Sequence, residues 1–189
     1  MIGTQDIAKY FIQELEKQNF TIDKTGQKTI ELIPASFKAD ASAIFGEPNL
    51  EYIVAELEWY RSHSTNIHDI HSEEKEPPQA WQYAADEYGN INSNYGKLIY
   101  SDQYYNQYEK VVKELTNHPD SRRASMIYQR PSIWTEYNEG NKSDFICTNA
   151  VTYYIRENQL DCVVQMRSND VVFGYKNDYA WQRQVLREL

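Results

Sequence analysis

Cysteine is scarce in this 189-residue chain, which has only Cys147 and Cys162. Two cysteines at this length do not make a disulfide framework, so a reduced, cytoplasmic setting is expected. Basic residues are in deficit as well. Nineteen Lys and Arg stand against 28 Asp and Glu, for a net charge of −9. That balance argues against nonspecific binding to nucleic acid or to an anionic membrane. Any anionic ligand must instead be held by a local cluster of cations. Long apolar runs are missing, and nothing approaches the about 18 apolar residues of a membrane-spanning helix. The N-terminus, MIGTQDIAKYF, lacks a basic segment followed by an apolar one, so no signal peptide is expected. His63, His68 and His71 match no common zinc spacing and have no cysteine nearby, so no metal is expected. There is no internal repeat and no low-complexity segment.

What is present suits one globular domain spanning 1–189, with 41% hydrophobic and 25% charged residues and 16 tyrosines. Apolar spacing predicts helices over 5–18 (through Ile7, Tyr10, Phe11 and Leu15), 50–61 and 102–115 (through Tyr105, Tyr108, Val112 and Leu115). A last helix is expected over 178–189. Strands are expected over 28–40, broken by Pro34, over 124–130, and as a hairpin of 145–156 and 160–167 turning at Glu157-Asn158. The polar stretch 62–80, with Pro77-Pro78, reads as a loop. The fold class is α+β: a mixed sheet packed with helices.

Three features carry chemistry. A hairpin centred near Asn158 sets Cys162 opposite Tyr154 and Cys147 opposite Asn169, too far apart for a disulfide. It also brings Arg167 and Ser168 near Cys147, where a guanidinium favours a nucleophilic thiolate. An inert buried cysteine is the ordinary alternative, and spacing alone leaves both open. Glu56 lies on the apolar stripe of its helix with Ile53, Leu57 and Tyr60. Desolvation there raises a carboxyl toward the range of a general acid–base, or the group sits in a structural hydrogen-bond network. Arg122-Arg123, Arg167-Ser168 and Lys24 lie at turns and strand ends, which suits a phosphate site as well as surface ion pairs.

Together the motifs resemble the thymidylate synthase superfamily. RSNDVVFGYKNDYAW, PDSRR, DKTG (usually DRTG) and ELEW all have that pattern. FGEPNLEYIVAELEWY, INSNYG, MIYQRPS and SDFICTN are closer still to its phage deoxycytidylate hydroxymethylase branch. The resemblance covers nearly the whole chain. It implies a homodimer that transfers a one-carbon unit from 5,10-methylenetetrahydrofolate to C5 of dCMP and hydrates it, with Cys147 as nucleophile. It implies Glu56 as proton relay and Asp178 as the base-reading residue, where synthases have Asn. Lys24, Arg167, Ser168 and Asn169 are implied on the nucleotide side, with Arg122 and Arg123 reaching across the dimer to the partner's phosphate. Tyr95 is implied as an active-site tyrosine, and Trp81 and Asp170 on the folate side. Thr148 follows Cys147 where synthases usually have His. Chains of this family run on for some tens of residues beyond the position of Leu189, so a C-terminal truncation is expected. A thymidylate synthase, a relative acting on CMP, and a weakly active dimerising fragment are the alternatives.

Overall fold

The computed structural model describes residues 2–23, 25–71 and 75–189. In chain order the elements are α1 (Thr4–Glu16), β1 (Thr21–Ile22), β2 (Lys28–Thr29), α2 (Leu50–Ser62), α3 (Gln79–Ala84), α4 (Tyr95–Tyr100), α5 (Gln107–Asn117), β3 (Ser125–Ile127), α6 (Ile133–Glu136), β4 (Thr148–Arg156), β5 (Gln159–Met166) and α7 (Gly174–Glu188). They fall into two compact units: 1–48 with 170–180, and 49–169 with 181–189. The class is α+β, and the strands pair antiparallel in sheets of order β1-β2 and β3-β4-β5 rather than in one mixed sheet.

In the first unit, Asp40 Oδ1 accepts from the Thr4 amide (3.0 Å) and hydroxyl (2.7 Å), fixing the start of α1. The buried face of α1 is Thr4, Ile7 and Glu14, and Leu15 is exposed. The strand expected over 28–40 shrinks to Lys28–Thr29, because among the described residues its only ladder partner is the two-residue β1, and Lys38 makes just an isolated bridge to Gly3. The last helix starts at Gly174, four residues earlier than its apolar spacing suggests.

The second unit holds a core rich in aromatic residues. Trp59 and Tyr60 from α2, Tyr95 from α4, Tyr128 after β3 and Trp181 from α7 are all buried. The Trp181 indole N–H donates to the Tyr128 hydroxyl at 3.1 Å, so the polar end of a buried ring is satisfied. Helix α4 packs hard on α2: a Cβ at Gly96 would fall 1.9 Å from the Tyr60 carbonyl oxygen. No residue but glycine fits that crossing without moving the backbone. Helix α5 begins at Gln107, later than expected, and its inward face is Tyr108, Val111 and Leu115. Tyr105 precedes it in a left-handed conformation and is 82% exposed. The expected loop 62–80 contains a 3-10 turn at Ile67–Ile70 and the start of α3, with residues 72–74 outside the described residues.

Glu157 and Asn158 both have positive φ (52° and 60°), the two-residue turn that matches strand twist. This pairs Arg156 with Gln159 and Tyr153, not Tyr154, with Cys162. Near the far end of the hairpin the register slips between Thr148 and Ala150, leaving Asn149 as a bulge.

Candidate active site

The bulge sets the position of Cys147. The turn between Glu157 and Asn158 shifts the partner of Cys147 from the expected Asn169 to Ser168, the bulge shifts it one residue further to Arg167, and the Arg167 amide donates to the Cys147 carbonyl at 2.9 Å. The guanidinium then folds back over the approach to β4. Its Nε donates to the Ile146 carbonyl at 3.0 Å, Nη2 donates to the Phe145 carbonyl, and the group lies 5.1 Å from the Phe145 ring centre. From there Nη2 is 3.5 Å from Cys147 Sγ. A fixed positive charge at that distance favours thiolate over thiol. The segment is anchored on its other side as well. Buried Asp144 accepts from the Asn92 and Ser93 amides and from the Ser93 hydroxyl, and the Gln129 amide donates to the Ile146 carbonyl.

Cys162 is built differently. Burial pushes its thiol up, and Asp161 beside it adds to the effect. Neither cysteine is in a disulfide. The two thiols therefore differ in setting: a guanidinium stands 3.5 Å from Cys147, whereas at Cys162 burial and Asp161 outweigh the opposing pull of Arg183.

Glu56 is buried on α2 with Ile53, Trp59 and Tyr60. Desolvation raises its carboxyl to about 7, against the opposing pull of two hydrogen bonds. Those bonds come from the Tyr52 hydroxyl, one turn earlier on α2 (2.6 Å), and from the Trp81 indole on α3 (3.2 Å), and both end on Oε1. Tyr52 is the residue that sequence reasoning missed. The signal was available: positions 52 and 56 are i and i+4 on one helix, and such pairs meet.

The other expected residues divide as follows. Tyr95 lies in the core, stacked on Tyr60 (centroids 5.4 Å apart) and edge-on to Tyr128. Arg123 is held by Glu114 at 2.9 Å, while Arg122 is exposed. Ser168 and Asn169 are exposed just past β5, with the Asn169 amide 3.3 Å from Met166 Sδ. Asp170 and Asp178 belong to the first unit. Asp170 Oδ1 accepts from the Val172 and Phe173 amides, shaping the turn into α7, and Asp178 is half-buried in that helix. Lys24 lies outside the described residues. Two surface clefts in the second unit, of about 410 and 370 Å³, include none of the expected site residues. Among the described residues no three potential metal ligands come together, and no helix is long and apolar enough to cross a membrane.

A thiol under a fixed arginine and a buried carboxyl near neutrality suit covalent chemistry with proton transfer. The thymidylate synthase family model matches residues 8–187, and the chain belongs to that family. Within it, the chain is 54% identical over 185 residues to the deoxycytidylate 5-hydroxymethyltransferase of Enterobacteria phage T4, covering 98% of this chain and 74% of the relative. The proteins of the same name from phages T2 and T6 match equally. Among solved structures, the thymidylate synthase from T4 phage superposes with a TM-score of 0.66 at 20% identity, over 95% of this chain and 67% of that one. Thymidylate synthase A from Bacillus subtilis gives 0.64 at 16% identity, over 98% and 72%. At such identities these two establish the shared fold alone.

Proposed function

We propose that this protein transfers a one-carbon unit from 5,10-methylenetetrahydrofolate to C5 of dCMP and hydrates it, giving 5-hydroxymethyl-dCMP. The observation that carries the chemistry is Cys147 Sγ lying 3.5 Å from Arg167 Nη2. The choice of reaction follows the 54% identity to the phage deoxycytidylate 5-hydroxymethyltransferases. The family match runs through both compact units, which supports reading residues 1–189 as one catalytic domain. We read the host cytoplasm as the setting of the reaction, and the phage origin of these relatives supports that reading.

The Cys147 thiolate adds to C6 of the cytosine ring, and the electron pair displaced to C5 attacks the methylene carbon of the folate. The C5 proton leaves and the carbon–nitrogen bond to tetrahydrofolate breaks, so C5 carries an exocyclic methylene. Water adds to that methylene, and return of the electron pair expels the thiolate from C6. Glu56 relays the protons of these steps from a carboxyl that changes state near neutral pH. Lys24, Arg167, Ser168 and Asn169 bind the nucleotide, Tyr95 serves as an active-site tyrosine, and Trp81 and Asp170 serve the folate. Incubation with dCMP, dUMP or CMP plus methylenetetrahydrofolate, with products identified by mass, tests the reading. Product from dCMP that gains one carbon, two hydrogens and one oxygen supports it; a methylated uracil product overturns it.

Asp178 reads the base. Cytosine offers an acceptor at N3 and a donor at its amino group, and a carboxylate accepts from that amino group where an amide would suit uracil. Asp178→Asn is expected to shift relative kcat/KM from dCMP toward dUMP by about tenfold or more, because a mismatched buried polar group costs about 1–3 kcal/mol. An unchanged ratio removes Asp178 from base recognition.

The protein acts as a homodimer in which Arg122 and Arg123 serve the partner's phosphate. Support comes from the outward face of the β3-β4-β5 sheet, where Ile127 and Val163 are 57% and 52% exposed. The arginine pair leads directly into β3. Mixing an Arg122→Ala/Arg123→Ala chain with a Cys147→Ala chain is expected to restore activity to two dead proteins. In a 1:1 mixture half the dimers are mixed and each has one intact site, so recovery should approach about a quarter of the wild-type rate. No recovery after proven subunit exchange counts against donation in trans.

A further inference from the structure

We propose that Tyr52 is a positioning residue for Glu56: with the Trp81 indole it ties down Oε1, so that Oε2 carries the proton exchanged with the reacting nucleotide. The inference rests on the proton-relay reading of Glu56 and adds which oxygen works and what holds it.

The argument is one of donors and acceptors. The Trp81 indole N–H can only donate. It lies 2.8 Å from the Tyr52 oxygen and 3.2 Å from Glu56 Oε1, so it points into the gap between them. The Tyr52 oxygen therefore accepts from Trp81, and its single proton goes to Glu56 Oε1 at 2.6 Å. Burial, and then the adjacent Glu56 carboxyl, push the Tyr52 phenol well above its ordinary range, so it remains a donor at any working pH. Oε1 thus receives two N–H or O–H donors whatever the charge of Glu56. A proton on Oε1 would meet the Tyr52 hydroxyl head-on, so the neutral acid carries it on Oε2. Among the described residues no hydrogen bond reaches Oε2.

The surroundings leave this geometry little freedom. Tyr52 and Glu56 share one face of α2, and Trp81 is wedged edge-on against Trp59 at 5.3 Å. His71 packs its ring 5.9 Å from Tyr52, and beyond it Lys75 pairs with Glu51 at the surface. Among the described residues, Tyr52, His71, Lys75 and Glu51 are the titratable or charged groups on this side of Glu56. Tyr52 alone among them hydrogen-bonds the Glu56 carboxyl.

Tyr52→Phe keeps the ring and removes the hydroxyl. An ionised Glu56 then loses a donor, so its carboxyl should hold its proton to higher pH. Carbon-13 NMR titration of Glu56 in the whole protein should place the midpoint above that of the wild type by about one pH unit. The limb of the kcat profile that reports Glu56 should move up with it. The loosened carboxyl should lower kcat about tenfold, while KM for dCMP stays within about twofold. A lower Tm with an unmoved midpoint and profile would mean that Tyr52 is merely structural, which overturns the proposal. The NMR midpoint does not depend on turnover. If Glu56→Gln proves fully active, the relay reading falls, while the titration still decides whether Tyr52 governs the carboxyl.

Discussion

Cys147→Ser is expected to lower turnover by about 10⁴-fold or more while leaving the fold intact. A serine hydroxyl placed 3.5 Å from a guanidinium stays protonated at neutral pH and is a poor nucleophile, so the adduct at C6 does not form. The most direct check uses 5-fluoro-dCMP with methylenetetrahydrofolate. Fluorine cannot leave C5 as a cation, so the wild-type protein should accumulate a covalent complex with nucleotide and folate visible by mass spectrometry. The serine variant should show no such mass. Cys162→Ser should behave like the wild type, because burial and Asp161 keep that thiol neutral. A trapped complex in the serine variant would remove Cys147 as the nucleophile.

Glu56→Gln should separate activity from stability. Loss of the proton relay is expected to cost about 10²–10⁴-fold in kcat. Stability should move the other way at alkaline pH. The folded protein keeps the Glu56 proton up to about 7, whereas the unfolded chain releases it near 4.5. Folding therefore takes up a proton between those values. This contribution is fully present below about 4.5 and is lost as pH rises through 7, where the buried carboxyl must ionise in place. Glutamine never ionises, and its carbonyl oxygen can still accept from Tyr52 and Trp81. At pH 8 the variant should be more stable by up to about 3 kcal/mol, the equivalent of the displaced titration, and near pH 5 the two proteins should differ little. Urea unfolding at the two pH values measures this. Equal midpoints at pH 8 would mean that Glu56 is far better solvated than its burial indicates.

Much of this architecture is legible in the chain, and the failures have identifiable causes. The hairpin is written in Glu157-Asn158, and the buried acid in the placement of Glu56 on an apolar stripe. The register at Cys147 is not written there, because the bulge at Asn149 interrupts the period on which register arguments depend. Tyr105 fits the helical spacing of α5 yet is 82% exposed, since Tyr105 and Asn106 turn left-handed and postpone the helix to Gln107. The stretch 28–40 has strand-like composition, but a strand exists only where a neighbour offers a ladder, and beyond Thr29 none does among the described residues. Trp81 and Asp178 are recognisable through the family pattern. Which atoms they meet depends on how segments far apart in sequence pack, and spacing carries no record of that.

Gln107 makes one further point about how two such chains can associate. Its side-chain oxygen accepts from the Ile127 amide at 2.7 Å and its nitrogen donates to the Ile127 carbonyl at 2.8 Å. A single side chain thus occupies both backbone groups of Ile127, at one end of the edge strand β3. The amide of glutamine mimics a peptide group, so it acts as a dummy strand one residue long. A second copy that tried to lengthen the sheet along this border would first have to break two hydrogen bonds. Growth of a continuous ribbon through the Ile127 end of β3 therefore carries a cost that pairing through the face of the sheet does not.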